Sequence, residues 1–317
     1  MRTKLLAGAA LAGASLIAGA AAADPGVEFK NAAVRVTVLP ENRSDIEVTV
    51  YRANPRLPLT IERYGDTVVV DGHLVPFFLR CHGEGANLHA AVLGKGDFSV
   101  GEFPQVLVKT PMNAVVGAGG VVQGSIAHSS QLELSHSGCG DWTVGNVDNQ
   151  SRIHVSGVGE VRAGSSGTSE LDLSGSGRLT STAVRGPLEV RISGSGDVNV
   201  RSAGSADLSI TGSGAVHLGQ LGNGLQVRIS GAGGLDVASL DGPLTAQVSG
   251  VGNVNVPAGH VSRLEARLSG AGNVRFGGVA DDLDAEVSGM GSVDVAKVTG
   301  SIEQHVSGVG SVHIGGR

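Results

Sequence analysis

Between Ser137 and Gly310 the chain writes Ser/Thr-Gly-x-Gly ten times, and successive copies start 18, 19 or 20 residues apart. So short and steady a period leaves few folds open. A coil of about 19 residues has too few inward side chains to offset its own ordering, so it has to bury them against the next coil. The first five copies place Gly138 and Gly140, Gly157 and Gly159, Gly175 and Gly177, Gly194 and Gly196, and Gly212 and Gly214. The second five place Gly231 and Gly233, Gly250 and Gly252, Gly270 and Gly272, Gly289 and Gly291, and Gly308 and Gly310. All twenty are expected to be structural turn residues, at a corner where positive φ or crowded backbone excludes a Cβ.

The residues around the motif alternate. In Leu188-Glu189-Val190-Arg191-Ile192, and again in Asp197-Val198-Asn199-Val200, apolar and polar side chains change places at every step. That is the period of half-buried strands. A third apolar contact falls ten residues after the start of most motifs, at Val184, Ala203, Leu221, Leu240, Val279 and Val298. The expected fold is therefore all-β, a single-stranded parallel β-helix with about three short strands per coil. The Ser or Thr before each first glycine becomes a ladder of hydroxyls, read as capping neighbouring backbone. Spacing is longest between Ser249 and Ser269, where Pro257–Val261 is expected to form a bulged corner loop.

Residues 1–23 read as an export signal: Arg2 and Lys4, an apolar run from Leu5, and Ala21-Ala22-Ala23 before Asp24. No cysteine stands near that cleavage point, which argues against a lipoprotein anchor. The mature chain is then periplasmic or secreted, with no transmembrane segment. It carries 21 basic against 29 acidic residues, a formal charge of −8, which argues against nucleic acid as a partner. Residues 24–92 hold longer alternating strands and Phe29, Tyr51, Tyr64, Phe77 and Phe78, and are expected to form an N-terminal β cap with irregular first coils. Residues 93–317 are expected to be the β-helix repeats, with Leu93–Val100 and Val116–Gly119 as degraded copies of the motif. No capping segment follows the last motif, so the C-terminal coil is a candidate for self-association.

The chain has two cysteines, Cys81 and Cys139, and in an exported protein one disulfide between them is the simplest expectation. It would fasten the cap to the first regular coil.

An Ala-Val-Arg-Val-Thr-Val strand (Ala33 to Val38), an Asp-Thr-Val-Val-Val-Asp-Gly strand and turn (Asp66 to Gly72), and tandem Ser-Gly-Ser-Gly-Asp-Val-type repeats together resemble one family. It is the putative auto-transporter adhesin, head GIN domain family. The resemblance spans nearly all of the mature chain and is most specific in the repeats. It implies a right-handed parallel β-helix of the bacterial envelope, without catalytic residues to carry over.

A calcium β-roll needs a carboxylate in register at each coil, yet the residue after Gly-x-Gly is Asp only at Asp141 and Asp197. A polysaccharide-cleaving β-helix would use Asp281, Asp282 and Asp284, or Arg191, Arg228 and Arg267, although a solvated face accounts for both sets. Glycan binding normally needs exposed aromatic platforms, and only Trp142 and Phe276 fall in the regular coils. His128, His136 and His154 could gather near Cys139, but they match no ligand spacing and read as surface residues. A lipid or small molecule between cap and coil is a further reading. No cofactor, metal or catalytic residue is expected. The leading function is a non-enzymatic, adhesion-like or scaffolding module of the cell envelope, its partner an envelope protein or surface glycan; the alternative is a polysaccharide-binding or polysaccharide-cleaving β-helix.

Overall fold

The computed structural model describes residues 24–74 and 78–315. The expected export segment, Phe77 and the Phe78 side chain lie outside what is described. Parallel coils stack into a β-solenoid of about 11 turns.

Alternation along each strand becomes stacking along the axis. On the strand before the corner, Leu171, Val190, Leu208, Val227, Ala246, Ala266 and Ala285 lie one above another through successive parallel pairings. After the corner, Val198, Val216, Leu235, Val254, Val274 and Val293 do the same. All are buried in one continuous core. Each such Val or Leu contributes about 1.5–3 kcal/mol by leaving water, an amount no single coil could realise alone.

The Ser-Gly-x-Gly corner needs glycine chiefly for crowding. Among its twenty glycines only Gly140 and Gly159 have positive φ, 124° and 135°. A Cβ on the first glycine of each copy would instead stand 1.8–2.2 Å from a carbonyl oxygen of the preceding coil. The hydroxyl ladder caps less than its regularity implied. Only Ser137, Thr211, Ser249 and Ser288 donate to a carbonyl of the preceding coil, at 3.3–3.5 Å. Each of these carbonyls already accepts the backbone N–H of the same residue.

The long period is absorbed inside a strand rather than in a protruding loop. Gly259 takes φ 134°, and strand Gly259–Leu268 continues through His260 and Val261. The register consequently moves: Leu240 pairs with Gly259, but the next inward pair is Val261 with Ala280. The third apolar contact in these coils is thus Val261 and Ala280, both fully buried, and not Val279, which is half-buried.

The N-terminal part is woven into the stack. Strand β1 (Gly26–Glu41) spans two faces and pairs in parallel with the strand Asn113–Ile126, so coil-like stacking is present well before residue 93. On its other edge β1 pairs in parallel with Thr67–Asp71 and Gln105–Pro111. Antiparallel strands Thr60–Tyr64 and Glu47–Arg52 follow outside those. Leu93–Val100 is no degraded coil. It contributes to a separate antiparallel sheet of β2 (Phe78–His82), β3 (His89–Val92) and β4 (Gly96–Ser99). Val116–Gly119 does lie one coil before the first motif, although the corner register there falls on Gly120, whose carbonyl faces Gly138.

This small sheet lies against the side of the solenoid at the first corner. Leu88, Ala90, Val92, Phe98 and Phe103 form a second core with Ala33, Val121 and Cys139. Aromatic packing in the cap therefore comes from Phe98 and Phe103, while Phe29 joins the main core and Tyr51 and Tyr64 are exposed.

Candidate binding surface

Cys81 on β2 and Cys139 at the first corner form a disulfide across the second core, with Cα atoms 6.6 Å apart. Asp141 adds a polar clip that sequence reasoning missed. Its carboxylate accepts the backbone N–H of Gly85 from the cap (2.6 Å) and that of Glu160 from the next coil (2.8 Å). An apolar recess beside the disulfide is lined by Ala32, Leu74, Gly120 and Val158, with no aromatic among the described lining residues.

Two of the three candidate catalytic aspartates are engaged in holding coils together. Asp281 accepts from Thr299 (3.2 Å) and is bonded to the His260 ring (2.9 Å). Asp282 accepts the N–H of Ser301 at 2.9 Å and its hydroxyl at 2.5 Å, and these bonds hold its carboxyl below the usual range. A general acid for glycoside cleavage requires the opposite shift. Asp284 stacks between Glu265 and Glu303 on the same face.

The three arginines are answered by acids in their own or neighbouring coils. Arg191 donates to Glu170 at 2.7 Å and also pairs with Glu189; the hydrogen bond to Glu170 raises its pKa further. Arg228 meets Asp207 at 3.4 Å, and Arg267 meets Glu265 and Glu286. This face is a mixed-charge ladder with its cations already matched.

The three histidines do not assemble. His128 pairs with Asp148 at 2.9 Å and His154 with Asp172 at 3.4 Å. His136 is no surface residue. It is fully buried at the inward position that Val155 holds in the next coil, and burial pushes its pKa down. Trp142 and Phe276 are also fully buried, Trp142 lying over Gly124 where a Cβ would strike its ring. Neither offers a platform to a sugar.

What the coils do present is the tip of each corner. The residue between the two glycines points outward, and its character changes along the rod. Cys139 is covered by the cap and Val158 follows it, exposed. Ser176, Ser195 and Ser213 then give a hydroxyl-tipped stretch, exposed throughout. From there the tips are Ala232, Val251, Ala271, Met290 and Val309, apolar in five consecutive coils. Val251, Met290 and Val309 are 58 %, 70 % and 81 % exposed. At strand spacing this ridge runs about 20 Å. Beside it the exposed hydroxyls of Ser230, Ser249 and Ser269 lead to Arg228, Gln247 and Arg267 in a shallow groove. The ridge ends on the last described coil, where strand Ile302–Val306 is exposed along its whole length.

Among the described residues no helix is long and apolar enough to cross a membrane. Residues 220–317 match a family model described as "Putative auto-transporter adhesin, head GIN domain". No curated protein and no solved structure matches the chain. The matched span is shorter than the resemblance read from sequence, and it contains all five coils of the apolar ridge.

Proposed function

We propose that the chain is a non-enzymatic, exported adhesion-type module of the cell envelope, and that its contact surface is the apolar corner ridge with the hydroxyl groove beside it. One observation carries this reading: apolar corner tips recur at Ala232, Val251, Ala271, Met290 and Val309, half-buried at Ala271 and exposed at the other four, inside the residues that match the adhesin head model. An apolar stripe rimmed by polar groups is the usual mark of a partner surface. The corners that carry the ridge are held by backbone hydrogen bonds to the preceding coil, so binding would cost little backbone ordering. Its partner is an envelope protein or a surface glycan with an apolar face; a second copy meeting the last coil through strand Ile302–Val306 is a further contact of the same kind.

The test is capture from envelope extracts and adhesion to cells by the wild type and by a Val251→Asp/Met290→Asp double variant. Both side chains are exposed, so the melting temperature is expected to stay within the range of ordinary surface changes, about 0.5 kcal/mol per site. Loss of capture at unchanged stability supports the ridge. Equal capture by both proteins removes it, and turnover of a surface polysaccharide by the wild type would restore the enzymatic reading.

A further inference from the structure

We propose that His82, His89 and Asp97, on the outer face of the small antiparallel sheet, form a binding site for a divalent transition-metal ion of the zinc type. The site lies in the cap, apart from the corner ridge, so the two proposals stand or fall separately.

Strand alternation builds it. Cys81, Ala90 and Phe98 are cross-strand neighbours facing the second core, with Cys81 held by the disulfide. Their chain neighbours therefore face outward. His82 pairs directly with His89, and Asp97 stands diagonal to His89, opposite Ala91. One donor atom from each of the three lies within 4.8 Å of the other two.

The distances suit an ion better than they suit hydrogen bonds. Asp97 Oδ2 is 3.5 Å from His82 Nε2 and 3.4 Å from His89 Nδ1. Neither contact qualifies as a hydrogen bond, and His89 Nδ1 is a buried polar atom with no partner. Metal–ligand bonds of about 2.0–2.2 Å in a tetrahedron place neighbouring ligand atoms about 3.4 Å apart. One carboxylate oxygen is thus already at that separation from two imidazole nitrogens. The rings are stacked at 5.1 Å, and the more exposed His82 is the one that turns to bring its nitrogen in.

Two imidazoles, borderline nitrogen donors, beside one carboxylate favour zinc over calcium or magnesium, which prefer all-oxygen sites. The disulfide at the residue next to His82 anchors β2, so the donors are pre-positioned. Three protein ligands leave one tetrahedral position for water or for a side chain of a bound partner. The coils also pair histidine with aspartate, as at His217–Asp236 and His313–Asp294. Those are two-donor contacts; among the described residues the cap holds the one three-donor group.

Calorimetric titration of the purified, oxidised full chain with Zn²⁺ is the test. One ion per chain is expected, with the affinity reduced about tenfold or more in His89→Ala and in Asp97→Asn, the loss seen even for outer-shell partners of metal sites. His217→Ala is expected to leave it unchanged. Asp97→Asn is nearly isosteric and exposed, so it separates loss of a ligand from loss of fold. A second readout follows the ring NMR signals of all ten histidines, with those of His82 and His89 alone shifting at one equivalent. Absence of a one-to-one site, or a site that survives both cap variants, overturns the proposal.

Discussion

The first and last described coils of the solenoid sit in different surroundings. At the N-terminal end the chain leaves the stack after β1, builds antiparallel strands and a second core of its own, and returns through a disulfide and the Asp141 clip. The C-terminal coils repeat one pattern with little change until strand Ile302–Val306, which is exposed throughout. The corner tip shows the same contrast: Cys139 is sealed under the cap, whereas Val309 is 81 % exposed. A solenoid's stability is nearly a sum of nearest-neighbour interfaces, so coils that also pack against the cap resist opening more than coils held by their neighbours alone. Stability is thus concentrated near the cap, and the exposed apolar surface near the other end.

Opening the disulfide is the strongest way to break that contrast. Cys81 and Cys139 are 58 residues apart, and closing a loop of that length is worth about 4 kcal/mol in the chain-entropy model. A Cys81→Ser/Cys139→Ser variant is expected to lose hydrogen-exchange protection in β2 to β4 and at the first corner. Protection around Val227 and Ala246 is expected to persist. Uniform loss along the rod would show that the two ends are one cooperative unit.

A matched pair of glycine substitutions sharpens the comparison further. A Cβ on Gly138 would sit 2.0 Å from the Gly120 carbonyl oxygen, and one on Gly308 would sit 2.2 Å from that of Gly289. The clashes are alike but the freedom to relieve them is not. Gly138→Ala is expected to cost about 3 kcal/mol in urea denaturation, because coils and cap hold it on every side. Gly308→Ala is expected to cost much less, since no cap covers that corner among the described residues and Val309 beside it is exposed. Gly234→Ala, with nothing within 4 Å of its Cβ, serves as the neutral control.

The smallest expected effect is a pH response on the capped side. Burial lowers the pKa of His136 from 6.5, so below that pH the unfolded chain binds a proton that the folded chain refuses. The sign follows: stability is full above about pH 6.5 and falls as pH drops toward the lowered folded value. Melting temperatures measured between about pH 7 and pH 5 are expected to fall more in the wild type than in His136→Val, which places the aliphatic residue of the next coil at this position. Parallel pH profiles for the two proteins would assign the acid response to other groups.

Much of the fold was legible because it is written locally. The 19-residue spacing, the two-residue alternation and the glycine pairs each report on contacts that recur identically from coil to coil, so ten copies reinforce one reading. Legibility fell wherever a residue's role depended on a distant register. Val279 and Ala280 could not be told apart by counting from the motif, because the bulge at Gly259 shifts the phase one coil earlier. His136 sits in an alternating strand like any other, but only stacking on Val155 reveals it as a core residue.

The sequence by itself determined that this chain must stack, where its corners fall and which cysteines are available to bond, since periodicity and composition run along the chain. Only the tertiary structure decided that β1 is already part of the stack and that Asp281, Asp282 and the three arginines are each engaged by neighbouring coils. It alone grouped His82, His89 and Asp97, which are separated by unequal intervals that match no motif. An antiparallel sheet brings residues together according to turn length and pairing register, and those are settled by what the sheet packs against, not by the spacing of the residues it joins.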